Sequence, residues 1–289
     1  MARLLLPVVA SLACVLATSG CLHLGMQQRG PAPGRADFGV VPPPPPPPPP
    51  AASSLRVRPR TGPQALPYRI WRRHFRGRLA YVVRVSLPDV HAELLFARDR
   101  AHPHRACERF DALRRRAGAA IVASGAFFGE SSHRTMGTLI SAGQVWQGQP
   151  RDDLGTALEI DARGVAVLRT LKIEAARRDC PFFFQAGPRL VRDGSIWLHP
   201  RFEGFRDPVL LDRARRVAAG LSHGGRVLLL VGFPQPISLR TEAEAMRDLG
   251  CRDAMNLDGG SSAALAIGDR VLVRPDTPLT HLVVFQPDA

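Results

Sequence analysis

The chain has 289 residues, of which 45% are apolar, and its formal net charge is +14. The basic residues are 38 arginines and a single lysine, Lys172, and residues 51–118 hold 16 arginines against five acidic residues. A basic patch is typical of nucleic-acid binding, but these arginines are spread over predicted strands and a helix without a nucleic-acid reader motif, so no nucleic-acid partner is expected.

The N-terminus has the pattern of an export signal. Arg3 precedes an apolar run over residues 4–17, and small residues then precede Cys21. This run is shorter than the roughly 20 residues that a transmembrane helix needs. Residues 17–21 are similar to a bacterial lipobox, so we expect residues 1–20 to be removed and Cys21 to be lipidated at the mature N-terminus. An ordinary signal peptide with an incidental cysteine is the alternative.

A proline-rich linker follows the signal, over residues 21–66. Residues 42–50 are nine consecutive prolines, which adopt polyproline II at about 3.1 Å per residue and would span roughly 28 Å. We therefore expect a disordered or stiff spacer that holds residues 67–289, a single domain, away from a membrane. The expected location is the bacterial cell envelope, periplasmic or at the surface, with the membrane contacted through the lipid anchor.

The domain shows many short strand patterns and two clear helix patterns. One helix is predicted over residues 107–117, ended by Gly118. A second is predicted to begin at a capping box of Thr241 and Glu244 and to end at Gly250. Strands are predicted at residues 79–87, 92–96, 157–161, 165–168, 227–231, 271–273 and 282–285. The fold class is therefore α+β, one domain with a mixed or mostly antiparallel sheet and a few helices.

One stretch near the C-terminus carries the strongest chemical signal. Apolar residues 254–257 lead to Asp258, which is followed by Gly259, Gly260, Ser261 and Ser262. The glycines permit a tight turn and close approach of a ligand to the backbone, and the serines add hydroxyl and N–H groups that can face an anion or a sugar. The alternative is an Asp-Gly hairpin turn without chemistry.

Four upstream segments accompany this turn. The apolar residues 119–123 run into Ser-Gly-Ala-Phe-Phe-Gly at 124–129, and Thr-Met-Gly-Thr-Leu-Ile follows at 135–140. Residues 185–194 contain Gly-Pro-Arg-Leu-Val, and residues 216–220 read Arg-Val-Ala-Ala-Gly.

In this order and spacing, these segments resemble the phosphodiester glycosidase domain family over roughly residues 75–287. Members typically show an Asn-Gly-Gly-Phe-Phe-like segment, Gly-Pro-x-Leu-Val, Arg-Thr-Ala-x-Gly and Leu-Asp-Gly-Gly-Gly-Ser-Ser. Three positions depart from that pattern: Ser124 replaces the usual Asn, Val217 the Thr, and Ser261 the third glycine. Ser124 is shorter and lacks the donor and acceptor pair of an amide, which favours a binding role over catalysis.

Hydrolysis at a sugar-phosphate linkage needs a carboxylate, a cation and oriented donors. Asp258 is the candidate that activates water or stabilises developing positive charge, and Arg216 is the candidate cation, since a guanidinium binds phosphate oxygens in parallel pairs. Glu130 is the candidate partner acid, with a solvated loop residue as the alternative. The substrate-binding candidates are Ser124, Gly125, Phe128, Gly137, Gly187, Gly259, Gly260, Ser261 and Ser262. Phe127 and Phe128 would stack on a sugar or, alternatively, belong to the core.

The resemblance implies an exported hydrolase of a glycosyl phosphodiester or related glycoside in envelope or extracellular polymer. The alternatives are a non-catalytic module of the same fold that binds envelope polysaccharide, and a general phosphodiesterase. The expected partner is a glycan or sugar phosphate, and the scissile bond, C1–O or P–O, stays open. No cofactor is implied, although a general phosphodiesterase would use a divalent cation.

Cysteine spacing gives no metal site, because the sequence lacks a CxxC pair and a zinc-type His and Cys spacing. Three cysteines remain after the signal and the lipidated position: Cys107, Cys180 and Cys251. In an oxidising compartment they allow one disulfide and one free thiol, with the pairing open.

Overall fold

A computed structural model describes residues 66–98, 106–147, 151 and 153–288. The predicted signal, the lipid anchor and all but the last residue of the predicted linker lie outside these residues. In the described part of the chain, Cys107, Cys180 and Cys251 are all free thiols, so the disulfide that the sequence allowed is absent there. No helix in the same ranges is long and apolar enough to cross a membrane.

The described chain consists mainly of short strands. In chain order these are β1 (Tyr68–Phe75), β2 (Arg78–Ser86), β3 (Val90–Phe96), β4 (Ile121–Ala123), β5 (Thr138–Ser141), β6 (Gln144–Gln147), β7 (Thr156–Ile160), β8 (Ala166–Thr170), β9 (Phe182–Ala186), β10 (Arg189–Arg192), β11 (Ser195–Ile196), β12 (Ala214–Leu221), β13 (Val227–Ile237), β14 (Asp253–Asn256), β15 (Leu265–Ile267), β16 (Arg270–Val273) and β17 (His281–Pro287). The helices are α1 (Phe110–Ala117), α2 (Pro208–Leu211) and α3 (Leu239–Asp248).

These strands form three sheets in which the recorded strand pairs are antiparallel. The large sheet has the order β1-β2-β13-β12-β14-β10-β11. A second sheet has the order β16-β15-β4-β17-β3, and a third has the order β6-β5-β9-β7-β8. The predicted α+β class with mostly antiparallel strands is therefore confirmed.

The main core lies between the three sheets. Val83 and Val217 come from the large sheet, Ile121 and Val283 from the second, and Phe184 from the third, and all five are at most 1% exposed. Each sheet turns its alternate apolar residues towards this centre, as the period of two in a strand requires. Two outer faces are covered by helices: α3 packs on the large sheet, and α1 packs on the second.

The chain passes between the sheets at four connections. Residues 87–89 lead from β2 in the large sheet to β3 in the second, and the other three connections contain predicted site residues. Residues 124–137 lead from β4 in the second sheet to β5 in the third, and residues 187–188 lead from β9 in the third to β10 in the large sheet. Residues 257–264 lead from β14 in the large sheet to β15 in the second. Because each of these three connections joins a different pair of sheets, the three can meet where the sheets adjoin, and they contain most of the predicted site residues.

Two helix starts differ from the sequence prediction. Helix α1 begins at Phe110 rather than at residue 107, because Glu108 exchanges backbone hydrogen bonds with Leu279 at 2.9 Å and is extended there. The capping box at Thr241 and Glu244 is wrong: Ser238 is the N-cap of α3, and its side chain accepts from Thr241 N at 3.2 Å. Strand β1, which the sequence prediction missed, carries polar side chains at most of its positions.

Replacing the helix cap tests the observed start of α3. Ser238→Ala removes the acceptor for the Thr241 N–H, so we expect the free energy of unfolding to fall by about 1 kcal/mol. Thr241→Ala should cost less, because Thr241 lies inside the helix. Urea denaturation of both variants measures the difference, and a larger loss at Thr241 would contradict this helix start.

Candidate active site

The Asp258 turn is the centre of the candidate site. It is continuous with β14 on one side, and a 3₁₀ turn, Gly260–Ser262, follows on the other. Gly260 has φ +60°, a conformation that favours glycine. The backbone of Leu257 donates to Val217 O at 2.8 Å, which fixes the turn beside β12.

The carboxyl group of Asp258 has an unusual protonation state. Enclosure by the surrounding protein raises its pKa to about 8, and the negative charge of Glu130 acts in the same direction. The backbone N–H of Gly259 and the hydroxyl of Ser262 hydrogen-bond the carboxyl and oppose this rise. Asp258 is therefore mostly protonated at neutral pH while remaining partly accessible.

The loop after β4 is tied directly to this turn. The hydroxyl of Ser124 donates to Asp258 O at 2.6 Å, and Asp258 N donates to Gly125 O at 3.0 Å. Ser124 is 2% exposed, and its oxygen also accepts from Ala264 N at 3.4 Å. Ser124 in this arrangement supports the backbone of the turn, and its role towards a ligand stays a prediction.

A histidine that the sequence analysis did not single out holds the same loop. His281 is buried on β17, and its Nε2 accepts from the backbone N–H of Ala126 at 3.1 Å. Its Nδ1 therefore carries the proton and faces Thr280 Oγ1 at 2.9 Å. Burial lowers the pKa of His281 to about 4, so the ring is neutral. A side chain at Gly125 would lie 2.9 Å from Nε2, so this glycine is needed for the close approach.

A second set of hydrogen bonds connects the strand before the Asp258 turn to residues 187 and 188. It is made by Asn256, which is fully buried. Its Nδ2 donates to Gly187 O at 2.7 Å, and its backbone O and N bond Gly187 N at 2.8 Å and Pro188 O at 3.0 Å. Gly187 has φ +131° and precedes a cis peptide bond to Pro188; a Cβ there would lie 3.1 Å from the ring of Phe205. The predicted residue Gly187 thus lies beside the strand that leads to Asp258. The sequence signal for Asn256 was a single polar side chain in an apolar strand.

A crevice too narrow to hold a water molecule adjoins the loop after β4, lined by Phe127, Met136, Gly137, Leu154, Gln185 and Ala186. Gly137 packs against the amide of Gln185, which accepts from Thr138 N at 2.6 Å. Phe127 and Phe128 lie in different hydrophobic clusters. Phe127 packs on the main core and meets Phe205 edge to face at 5.6 Å, whereas Phe128 is partly buried on the α1 side.

Arg216 touches the turn but is not an open cation. It is 1% exposed, and its Nη2 donates to Leu210 O at 2.7 Å and Asp212 O at 2.6 Å. A Cβ at Gly259 would lie 3.8 Å from Arg216 Nη1, so the guanidinium lies just below the glycine turn. The Nε atom has no hydrogen-bond partner among the described residues.

Glu242 is a buried acid whose charge interacts with that of Arg216. It is fully buried on α3, and both carboxyl oxygens lack hydrogen-bond partners within the described ranges. Burial raises the pKa of Glu242 to about 8, although the positive charge of Arg216 acts against that rise. The sequence predicted this helix from a capping box and a terminal glycine, which gave no reason to place a carboxyl in the core.

A third buried acid, Glu203, has its oxygens occupied. They accept from Arg189 N and from the hydroxyl of Thr156, each at 2.7 Å. Burial raises the pKa of Glu203 to about 7. Thr156 lies on β7 and Arg189 on β10, so Glu203 links these two strands and its role is structural.

The structure brings together Asp258, Ser124, Gly125, Gly187 and Gly259 by the contacts above. Gly260 and Ser262 belong to the same turn, Ser261 is exposed beside it, and Glu130 is an exposed residue that influences Asp258 through its charge. No group of three or more His, Cys, Asp or Glu side chains in the described ranges is arranged to hold a metal ion. An open depression of about 500 Å³ near Cys251 and Arg252, before β14, contains none of the predicted site residues.

Comparison with known proteins places this site in context. Residues 117–284, more than half of the chain, match the phosphodiester glycosidase family. No curated protein matches the chain.

Two solved structures share the fold. One is the catalytic domain of zebrafish N-acetylglucosamine-1-phosphodiester alpha-N-acetylglucosaminidase, auto-inhibited by its pro-peptide, with 16% identity and a TM-score of 0.61 over 79% of this chain and 85% of that one. The other is a hypothetical protein from Synechocystis, with 16% identity and a TM-score of 0.55 over 76% of this chain. The chain spans 62% of the length of the Synechocystis protein. At this identity the likeness shows the fold alone.

The buried carboxyl of Glu242 predicts a pH-dependent stability. The unfolded group loses its proton near pH 4.5, while the folded group keeps it up to about pH 8. A raised pKa means that stability falls as pH rises through that window. Glu242→Gln should therefore flatten the fall in the free energy of unfolding between these two pH values, measured by urea denaturation.

Glu244→Gln is the matched control on the same helix. Desolvation raises the pKa of Glu244, but hydrogen bonds from Arg240 and Arg76 outweigh it, and the net pKa is lowered. Its contribution is therefore lost only under more acidic conditions, and this variant should keep the wild-type slope. Equal slopes in the wild type and in Glu242→Gln would contradict the raised pKa.

Proposed function

Because the chain belongs to the phosphodiester glycosidase family, we propose that it hydrolyses a glycosyl phosphodiester or a related glycoside of an envelope or extracellular polymer. The observation that carries the proposal is the Asp258 carboxyl, held at a glycine turn with its pKa raised to about 8. A carboxyl that stays protonated at neutral pH is a competent general acid for a leaving oxygen.

The proposed reaction breaks the bond between the anomeric carbon and the bridging oxygen. Asp258 gives its proton to that oxygen as the bond breaks, and the phosphate monoester leaves. Water bonds to the anomeric carbon and gives a proton to the Glu130 carboxylate. The products are the free sugar and the phosphate monoester, and proton transfer through solvent returns both carboxyl groups to their starting states.

The remaining residues hold this geometry. Ser124 and Asn256 fix the backbone on either side of the turn, and Ser262 orients the carboxyl. Arg216 places a positive charge beneath Gly259, which favours a phosphodiester at the turn. With its Nη2 bound to two carbonyl groups, Arg216 acts here mainly by charge and by position.

The Asp258→Asn variant tests the acid. The amide is isosteric and suits the turn but has no proton to give, so turnover of a GlcNAc-phosphate diester should fall by about 10²–10⁴-fold. The wild-type rate should also fall as pH rises above about 8, where Asp258 loses its proton, and the variant should lack this limb. Asp269→Asn, the same change at an exposed carboxylate, should leave the rate unchanged.

Further measurements on the same reaction distinguish the proposed function from its alternatives. Hydrolysis in ¹⁸O-water should place the label in the sugar; label in the phosphate would mean P–O cleavage. Loss of the rate with a chelator would indicate a metal-dependent phosphodiesterase. Binding of the glycan without turnover by the wild type would make the chain a non-catalytic binding module.

We also propose that the protein is exported and anchored to the bacterial envelope through Cys21. The support is the sequence pattern alone: an apolar run, small residues and then a cysteine. A lipid anchor followed by a polyproline spacer would keep the domain near polymer at the membrane surface.

Mass spectrometry of the mature N-terminus tests the anchor. We expect the chain to begin at an acylated Cys21, and Cys21→Ala should remove the acyl group and release the protein from the membrane fraction. Cleavage elsewhere with an unmodified Cys21 would refute the anchor without affecting the proposed chemistry.

A further inference from the structure

A strongly cationic hairpin forms one edge of the large sheet. Strands β1 and β2 and their turn span residues 68–86, which contain six arginines and no acidic residue. The neighbouring strand β13 has no charged residue along its length. The local charge is therefore not balanced within the sheet.

The register places Arg69, Arg73 and Arg84 on one face with Trp71, and Arg78, opposite Phe75 beside the turn, lies on that face as well. Arg69 lies opposite Arg84, Trp71 opposite Val82, and Arg73 opposite Ala80. These arginines are exposed, and Trp71 is 37% exposed. Like charges directly opposite one another in a sheet are destabilising, so the Arg69 and Arg84 pair would be relieved by an anion.

Protein carboxylates do not supply that anion in the described part of the chain. Within the described residues, the recorded ion pair of this hairpin joins Arg76 to Glu244 at 2.6 Å. Arg73 lies over the ring of Phe75 at 5.1 Å, which leaves its charge available. Helix α3 covers the rest of the same sheet face, against β10, β11, β12, β13 and β14.

A row of paired residues connects the hairpin to the strand that leads to the Asp258 turn. Trp71 pairs with Val82, Val82 with Val231, Val231 with Ala218, and Ala218 with Asn256. Trp71 and Asn256 thus lie on one row across five strands, about 19 Å apart at about 4.8 Å per strand. Asp258 follows Asn256 by two residues. Val82, Val231 and Ala218 are fully buried in the cluster that includes α3, so a polymer that contacts both the hairpin and the turn passes over this helix.

We propose that Arg69, Trp71, Arg73 and Arg84 form a binding surface for a phosphate-bearing glycan, outside the reaction centre. The guanidinium groups bind phosphate oxygens, and the indole offers a face to a sugar ring. The identity of the polymer rests on the proposed function. A membrane is the less favoured partner, because Phe75 on this face is buried and Trp71 is only 37% exposed.

Binding to purified polymers tests the surface. The full chain with Cys21→Ser, which lacks an acyl group, should bind linear phosphomannan more tightly than neutral mannan. Raising the salt concentration should weaken the phosphomannan complex, because salt screens exposed charges. The combined variant Arg69→Gln, Arg73→Gln and Arg84→Gln should bind phosphomannan at least about tenfold more weakly, since each exposed ion contact contributes modestly.

A matched variant removes the same charge elsewhere. Arg109, Arg115 and Arg270 are exposed and lie on or beside α1 and β16; changing all three to Gln should leave phosphomannan binding within about twofold of the wild type. Equal loss in both triple variants, or equal binding of neutral mannan and phosphomannan by the starting chain, would overturn the proposal. Binding to phosphatidylglycerol vesicles without binding to phosphomannan would overturn it in favour of a membrane surface.

Activity measurements keep this proposal separate from the proposed function. The hairpin triple variant should turn over a small GlcNAc-phosphate diester at the wild-type kcat and show a raised KM only for the polymer. Asp258→Asn should still bind phosphomannan with wild-type affinity. A wild type that binds phosphomannan but hydrolyses nothing would refute the proposed function and support the binding surface. Turnover by a wild type whose phosphomannan binding does not depend on the hairpin arginines would support the proposed function and refute the binding surface.

Discussion

The structure depends on a set of hydrogen bonds in which Asn256 and Asp258 join three chain connections. Asn256 binds Gly187 through its side chain and both residues 187 and 188 through its backbone. Asp258 binds Ser124 and Gly125 through its backbone. Each connection leads between a different pair of sheets, so these bonds fix the three sheets relative to one another. Each contributes about 1 kcal/mol net, but an unmade bond at a buried site costs more.

The same arrangement produces the chemistry of the site. A carboxyl held at the junction of three sheets has little water around it, and two hydrogen bonds do not fully replace that water. Its pKa is therefore raised to about 8, and the neutral acid becomes the resting form. His281, held neutral by burial, completes the support, because only a neutral ring can accept from the Ala126 N–H and carry its proton on Nδ1.

Charge is distributed unevenly in this protein, and burial decides how each group behaves. Glu242 and Arg216 are buried near each other without a direct ion pair, whereas Glu203 satisfies both of its oxygens. The arginines of β1 and β2 remain exposed at a sheet edge, where their positive charge extends into solvent. The substitution of Ser124 for the family's usual Asn fits the interior setting: a short hydroxyl reaches Asp258 O at 2.6 Å in a position that is 2% exposed.

The sequence alone determined the fold class, the turn around Asp258 and seven of the strands, because these features rest on short apolar runs and on glycine. The seven strands are β2, β3, β7, β8, β13, β16 and β17. The sequence also identified the family through short segments. Only the tertiary structure decided which polar groups are buried. Nothing in the local sequence marks Asn256, His281, Glu203 or Glu242 as buried. Their burial depends on segments far away in the chain, as the hydrogen bond between Ala126 and His281 illustrates. Strand β1 likewise needed its neighbour, because its arginine-rich sequence forms a strand through pairing with β2 rather than through its own pattern.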